Sequence, residues 1–87
     1  MDISEPLGLT NLQTLSLYGN PIVDISGLAG LTNLNYLNLG SNQIVDITPL
    51  LGCLNAGDYV DIRYNPLNED APSVIAELQL IGVNVDV

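Results

Sequence analysis

A 22-residue repeat fills most of the chain and limits the folds available to it more than any other feature. Residues 9–30 read LTNLQTLSLYGNPIVDISGLAG and residues 31–52 read LTNLNYLNLGSNQIVDITPLLG, with 13 of 22 positions identical. The register also extends backward, because residues 1–8 match the end of such a block. A period of this length is typical of solenoids, in which each repeat stacks only on its neighbours.

A third, weaker copy follows in the stretch DYVDIRYNPL. The interval from Asn42 to Asn65 is longer by a single position than the interval from Asn20 to Asn42, so an extra residue falls between Gly52 and Val60. We therefore predict a single domain over residues 1–87, consisting of a partial repeat (1–8), three repeats (9–30, 31–52 and 53–67) and a C-terminal cap (68–87).

The spacing within each copy, L-x-x-L-x-L-x-x-N-x-I, has a direct physical interpretation. Leu15 and Leu17 are two positions apart, so on a strand they point to the same side, which becomes the inside of a coil. The chain then turns, and Ile22, Ile25 and Leu28 fill the coil from the other side. One coil cannot bury its apolar side alone, and stacking makes the core continuous.

This pattern resembles the leucine-rich repeat family, and the 22-residue length with the segment I-V-D-I-x-x-L resembles its bacterial internalin type. The resemblance implies an α/β solenoid: a right-handed superhelix with short parallel strands on the concave face and an irregular or 3-10 convex side. It also implies a protein ligand and an extracellular or cell-surface location. MDISEPLG itself does not have the pattern of a signal peptide.

Two polar residues recur with the repeat, and we interpret both as structural. Asn20, Asn42 and Asn65 follow the strands, where a side-chain amide can satisfy backbone groups of the bend and of the next coil. A buried hydrogen-bonding ladder is favoured over ligand contact. The aspartates that precede I-S or I-T are expected to cap a turn rather than to form a cation site; they are Asp2, Asp24 and Asp46.

The period changes after Leu67. A stripe at helical spacing predicts an amphipathic helix that covers the open end of the solenoid; its members are Ala71, Val74, Ile75, Leu78 and Ile81. Asn68 or Asp70 is the expected N-cap, and Gly82 suits the residue after the helix. Leu80 lies off the stripe. The alternation from Val83 to Val87 predicts a short closing strand.

The charge balance and residue types exclude several function classes. Ten acidic residues oppose one basic residue, Arg63, giving a net charge of -9, which argues against nucleic acid and anionic membranes. No apolar run reaches the length of about 20 residues that spans a bilayer. Without His or Lys, with Cys53 alone and with Asp58 and Asp61 expected to point apart, we predict no enzyme, no metal and no cofactor. Cys53 is expected to be largely buried and slow to react.

The concave strand face is the candidate site. All four tyrosines and the single arginine fall at strand-flanking positions that point away from the core; the predicted binding residues are Tyr18, Tyr36, Asn38, Tyr59, Asp61, Arg63 and Tyr64. Tyr and Arg are enriched in binding hot spots, although Tyr also favours strands. We expect Tyr36 and Tyr59 to be adjacent, Asp61 and Arg63 to pair, and the tyrosine hydroxyls to face water.

The leading functional hypothesis is a non-enzymatic module that binds a protein through this face. The alternative is a structural capping fragment, or a minimal designed or truncated repeat scaffold, with no ligand of its own. We also expect the chain to be the C-terminal part of a longer repeat protein. Its first coil should expose an edge strand and the apolar residues Ile3, Leu7, Leu9 and Leu12, and should therefore self-associate.

Overall fold

The chain forms a solenoid of stacked coils in the computed structural model, which describes Ile3 and residues 8–87. Four short strands make one parallel sheet in the order β1-β2-β3-β4; they are β1 (Thr14–Ser16), β2 (Tyr36–Asn38), β3 (Tyr59–Asp61) and β4 (Asn84–Asp86). The opposite side carries two 3-10 helices, Ser26–Leu28 and Thr48–Gly52, and the helix α1, Ala71–Ile81. This architecture confirms the predicted α/β solenoid.

The register of the sheet follows the repeat spacing. Thr14 of β1 pairs with Tyr36, the equivalent position of the next repeat, and Tyr36 pairs with Tyr59 across the copy that contains the extra residue. The middle residue of each strand points inward, so that Leu37 and Val60 are fully buried. The extra residue is therefore accommodated in the connection before β3, and the register of the strand pairing does not change.

The core runs along the axis of the solenoid between the sheet and the convex side. Its wholly buried large side chains are Ile22, Ile25, Leu28, Leu31, Leu34, Leu37, Leu39, Ile44, Ile47, Leu50, Ile62 and Leu78. All of these wholly buried large side chains are aliphatic, which agrees with the absence of Phe and Trp from the sequence. Cys53 also lies in this core, which confirms its predicted burial.

The asparagine ladder is present. The Asn42 amide nitrogen donates to the carbonyls of Leu17 (3.0 Å) and Leu39 (2.9 Å), and its oxygen accepts the Ile22 N–H (3.2 Å). Asn65 makes the same contacts one coil later, donating to Leu39 at 2.9 Å and accepting from the Ile44 N–H. Each of these two asparagines thus links its own coil to the preceding one, which confirms the structural interpretation.

The aspartates cap the turns on the convex side. The Asp24 carboxylate accepts the Ser26 N–H at 2.8 Å. Asp46 accepts both the backbone N–H and the hydroxyl of Thr48, at 2.9 and 2.7 Å, and these bonds hold its pKa below the ordinary value. The capping prediction is therefore confirmed for Asp24 and Asp46, while Asp2 lies outside the described residues.

Helix α1 follows the predicted stripe with two corrections. Ala71, Val74 and Leu78 are buried, but Ile81 is 47% exposed. At 100° per residue Ile81 lies roughly 80° around the axis from Ala71, at the edge of the stripe. Asp70 occupies the N-cap position without a side-chain bond. Asn68 accepts the Asp70 N–H instead, and so closes the turn before the helix.

The C-terminal end of the helix agrees with the sequence. Gly82 adopts a left-handed conformation (φ 109°) and its N–H bonds to the Leu78 and Gln79 carbonyls, as glycine permits without steric cost. Leu80 is 89% exposed. The chain then returns to the sheet as β4, the predicted closing strand. Helix α1 packs against β4 and against the 3-10 helix Thr48–Gly52, so it continues the convex layer of the first two coils.

The first coil is the least covered part of the core. Leu9 is 53% exposed, and Leu12, Leu15 and Leu17 are only half-buried. Ile3, however, is buried, and its backbone N–H bonds to the Asp24 carbonyl at 2.6 Å. The expectation that Ile3 is exposed is therefore wrong, because it packs on the turn of the next coil; Leu7 lies outside the described residues.

Candidate functional site

The concave face is built from two columns of outward side chains, one on either side of the buried central column. The strand register aligns Thr14, Tyr36, Tyr59 and Asn84 in the first column and Ser16, Asn38, Asp61 and Asp86 in the second. Because successive side chains of a strand point to opposite sides, the inward direction of the central leucines and valines places both columns on the concave side of the sheet.

Tyr36 and Tyr59 form an aromatic stack at the centre of this face. Their ring centroids are 5.3 Å apart and the ring planes differ by 13°. This confirms that the two rings are neighbours across strands. Tyr36 stays exposed and Tyr59 is half-buried, so the stack offers a ring surface to solvent.

The Tyr59 hydroxyl does not face water freely, contrary to the prediction. It donates to the Asp86 carboxylate at 2.8 Å, because the register of β4 places Asp86 beside Asp61, the residue two positions after Tyr59. This hydrogen bond, with some burial and the charge of Asp86, raises the pKa of Tyr59 to about 12. The Tyr36 hydroxyl accepts a long bond, 3.4 Å, from the Asn38 amide.

Asp61 and Arg63 form the predicted pair. The Arg63 Nη2 lies 2.9 Å from Asp61 Oδ2, and Arg63 Nε lies 3.1 Å from Oδ1. Hydrogen bonds from the Arg63 side chain hold the pKa of Asp61 below its ordinary value, and the same contact raises the pKa of Arg63. Asp61 is only 4% exposed. The Asp61 carboxylate is therefore not available for direct contact with a partner, since the guanidinium covers it. Arg63 itself is exposed.

Asn38 and Asp61 also brace the ends of their strands. Asn38 Oδ1 accepts the Gly40 N–H at 2.9 Å, and Asp61 Oδ1 accepts the Arg63 N–H at 3.0 Å. The two bonds are equivalent in neighbouring coils, and each holds the backbone two positions further on. The main role of these two side chains is therefore to hold the backbone at the strand ends, and they add little contact surface to the concave face.

Tyr18 packs over a glycine of the next coil. A methyl group placed on Gly40 would lie 3.0 Å from Cδ2 of the Tyr18 ring, so the ring occupies the space that a side chain at position 40 would need. Tyr18 is nevertheless 58% exposed. The missing side chain at Gly40 thus leaves room for the Tyr18 ring, which otherwise remains largely exposed to solvent.

Tyr64 lies beyond the strands, in the turn that follows β3. Its φ is +63°, and its side chain is 75% exposed. The equivalent turn positions in the first two coils, Gly19 and Ser41, are also left-handed, with φ of 77° and 56°. A left-handed conformation costs an ordinary residue roughly 1–2 kcal/mol. The fold therefore carries a strained tyrosine where glycine would be relaxed.

Comparison with known protein families supports this geometry. The family model described as Leucine Rich repeats (2 copies) matches residues 10–52. The fold is a leucine-rich-repeat solenoid. Neither the curated proteins nor the solved structures contain a significant match to the chain. Leucine-rich-repeat domains generally act as protein-interaction modules and are typically non-enzymatic.

The leucine-rich-repeat fold brings most of the predicted site together. Tyr36, Tyr59, Asn38 and the Asp61–Arg63 pair form one continuous patch across β2 and β3, with Tyr18 at one corner. Tyr64 lies apart, at the strand exit. Sequence reasoning missed Asp86: the alternation in VNVDV indicates a strand, but the register that brings Asp86 to Tyr59 depends on how α1 packs.

Outside the concave face, the described residues of the leucine-rich-repeat domain offer few groups that could bind a metal or react. Within the described part of the chain there is no cluster of three metal-ligating side chains and no helix long and apolar enough to cross a membrane. Asp58 accepts the Asn55 N–H at 2.7 Å, whereas Asp61 is paired with Arg63, so the two carboxylates have different partners. Burial, followed by the charge of Asp58, raises the pKa of Cys53 to about 11, which keeps the thiol neutral at physiological pH.

Proposed function

We propose that this leucine-rich-repeat domain is a non-enzymatic protein-binding module that recognises its partner through the concave strand face. The binding surface comprises Tyr18, Tyr36, Tyr59, Arg63 and Tyr64, with Asn38 and Asp61 as positioning residues. The observation that carries the proposal is the exposed Tyr36–Tyr59 stack beside the Arg63–Asp61 pair. Tyr and Arg dominate the binding energy of many interfaces.

The patch is ordered before any partner arrives, which favours binding. The Asp86 carboxylate holds the Tyr59 ring, bonds to Asp61 hold the Arg63 side chain, and Gly40 seats Tyr18. Side chains that are already fixed lose less conformational entropy on binding, so more of the contact energy is available as affinity.

The likeness to the internalin type belongs to the same proposal. The 22-residue copies and the I-V-D-I-x-x-L segment support a bacterial, internalin-like member of the family. In that case residues 1–8 are the end of a preceding repeat, and residues 68–87 are a C-terminal cap in which α1 replaces a 3-10 helix.

The second candidate is a structural end-piece with no ligand. One observation favours it: the tyrosine stack ties β2 to β3, and the Tyr59–Asp86 bond ties β3 to β4. Cross-strand aromatic pairs stabilise sheets, so the same side chains could serve folding alone. The two candidates differ in whether loss of the rings changes affinity or only stability.

Substitution of the stacked rings tests the proposal. We expect Tyr36→Ser and Tyr59→Ser to keep the circular dichroism spectrum of the solenoid and to weaken the affinity for a partner isolated with the unmodified chain about tenfold or more each. Calorimetric titration measures the affinity. Val23→Ser and Val45→Ser are matched controls, since both valines are exposed and lie outside the strands, after the asparagine turn of each coil.

Unchanged affinity of both tyrosine variants, with weakened binding of the valine variants, contradicts the concave site. A chain that binds no partner, and whose tyrosine variants lose only unfolding free energy, supports the structural end-piece.

A further inference from the structure

The charged side chains of the concave face do not balance. Along the aligned columns of the described strands and the turn after β3 they are Asp61, Asp86 and Arg63. Arg63 and Asp61 neutralise each other, with Nη2 2.9 Å from Oδ2. Asp86 has a different neighbour, the Tyr59 hydroxyl at 2.8 Å, which donates a hydrogen bond but carries no charge. Two carboxylates thus face one guanidinium, and the described part of the face is net negative.

Asp86 is the accessible carboxylate of this face. It is exposed, whereas Asp61 is buried under the Arg63 guanidinium. Its register with Asp61 turns its side chain to the concave side of the sheet. Hydrogen bonds to Asp61 are the main cause of the raised pKa of Arg63, and the charge of Asp86 adds to the rise. Asp86 therefore lies close to both Tyr59 and Arg63 while it remains open to solvent.

An aromatic surface adjoins this carboxylate. The Tyr59 ring, whose hydroxyl donates to Asp86, is stacked on Tyr36 with ring centroids 5.3 Å apart, and Tyr36 is exposed. The faces of aromatic rings are electron-rich and attract cations, and the long stems of Lys and Arg pack on apolar surface. A carboxylate beside tyrosine rings therefore suits a cationic side chain, whereas the same groups repel a carboxylate.

The rest of the molecule has the same sign of charge. The sequence contains ten acidic residues and one basic residue. Acidic side chains also lie on the convex side, as at Asp24 and Asp46, and on α1, as at Glu77. A negative field of this kind attracts positively charged partners, speeds their association and disfavours acidic ones. Charge complementarity therefore selects a basic protein surface.

We propose that the partner presents a basic segment to the concave face, with an arginine or lysine side chain bound to Asp86 beside Tyr59 and the neighbouring residues packed on Tyr36. Adjacent strands lie about 4.8 Å apart, so a few residues of extended chain reach from Asp86 on β4 to Tyr36 on β2. The inference rests on the proposed function and adds to it the chemistry of the partner.

Peptides of opposite charge test the inference. The probe is a short peptide of glycine, serine and arginine at millimolar concentration, and the controls carry glutamine or glutamate in place of each arginine. In NMR titrations of the whole chain, the arginine peptide should shift the ring signals of Tyr36 and Tyr59, and more weakly as salt rises because salt screens the attraction. The glutamine and glutamate peptides should leave these signals in place.

Two matched variants separate the site from the net charge. Asp86→Asn keeps the shape of the side chain and an oxygen for the Tyr59 hydroxyl but removes the charge, and should raise the dissociation constant of the arginine peptide about threefold or more, as for an exposed ion pair. Asp70→Asn removes the same charge at the start of α1, where Asp70 is exposed and makes no capping bond, and should leave that constant unchanged.

Equal weakening by the two variants would show attraction to the net charge alone and overturns the inference. Ring shifts with the glutamate peptide as large as those with the arginine peptide also overturn it, although they leave the concave binding site in place. An absence of ring shifts with every peptide overturns it as well. Failure of the proposed function has a separate signature, which is partner affinity that survives both Tyr36→Ser and Tyr59→Ser.

Discussion

At the scale of single residues, Tyr64 shows a conflict between folding and surface chemistry. It is held at φ +63° with most of its side chain in solvent, so it contributes little burial while bearing backbone strain. Strained residues cluster at functional sites, where the surroundings hold them in place. Because Gly19 and Ser41 are left-handed at the equivalent positions, the fold imposes this conformation, and the role of Tyr64 in binding rests on its exposed ring as part of the proposed function.

Replacing Tyr64 by glycine should therefore stabilise the fold and weaken the partner complex. Relief of the left-handed strain outweighs the greater freedom of glycine in the unfolded chain, and we expect a net gain of about 0.5–1 kcal/mol in unfolding free energy. Urea denaturation measures it. Ser41→Gly, at the equivalent left-handed position, should be stabilising as well and leave binding unchanged. A loss of stability in Tyr64→Gly would show that the ring contributes more to folding than its exposure indicates.

The Tyr59–Asp86 bond predicts a distinct alkaline titration. The folded-state pKa of Tyr59 is about 12 against an ordinary 10, so its contribution to stability is fully present below pH 10 and is lost as pH rises from 10 to 12. The difference in tyrosinate absorbance between the unmodified chain and Tyr59→Phe isolates this group. Asp86→Asn should move the transition toward pH 10; an unmoved transition would assign the shift to another cause.

At the scale of elements, the asparagine ladder holds the coils in register. Asn42 bonds to both its own coil and the preceding one, whereas the bonds of Asn20 go to the Leu17 and Tyr18 carbonyls of its own coil. Within the described part of the chain, the first rung of the ladder therefore has fewer bonds than the second.

Alanine substitutions should reveal this difference. Asn42→Ala leaves the Ile22 N–H and the Leu17 carbonyl without their amide partner in the interior, so we expect a loss of about 2–4 kcal/mol in unfolding free energy. Asn20→Ala, the matched change in the first coil, should cost about 1 kcal/mol or less. Equal losses in chemical denaturation would contradict the ladder as the cause.

Across the whole molecule, the sequence correctly predicts those features of the fold and of the candidate site that follow from the repeat period. Fixed spacing is enough to place the strands, the asparagines and the Tyr36–Tyr59 neighbours, because each coil copies the path of the last. It is not enough for Asp86, since the whole of α1 lies between β3 and β4 and determines that step of the register. The exposure of Ile81 and the burial of Asp61 likewise depend on neighbours that no local pattern specifies.

A side-chain NMR titration shows directly whether the partner contacts the concave face. Ring signals of Tyr36 and Tyr59 report on the concave side, and methyl signals of Val23 and Val45 report on the surface beyond the strands in the same sample. Addition of the partner should shift or broaden the two ring signals and leave the valine methyls in place. Shifted valine methyls with unchanged tyrosine rings would show that the partner binds elsewhere on the molecule.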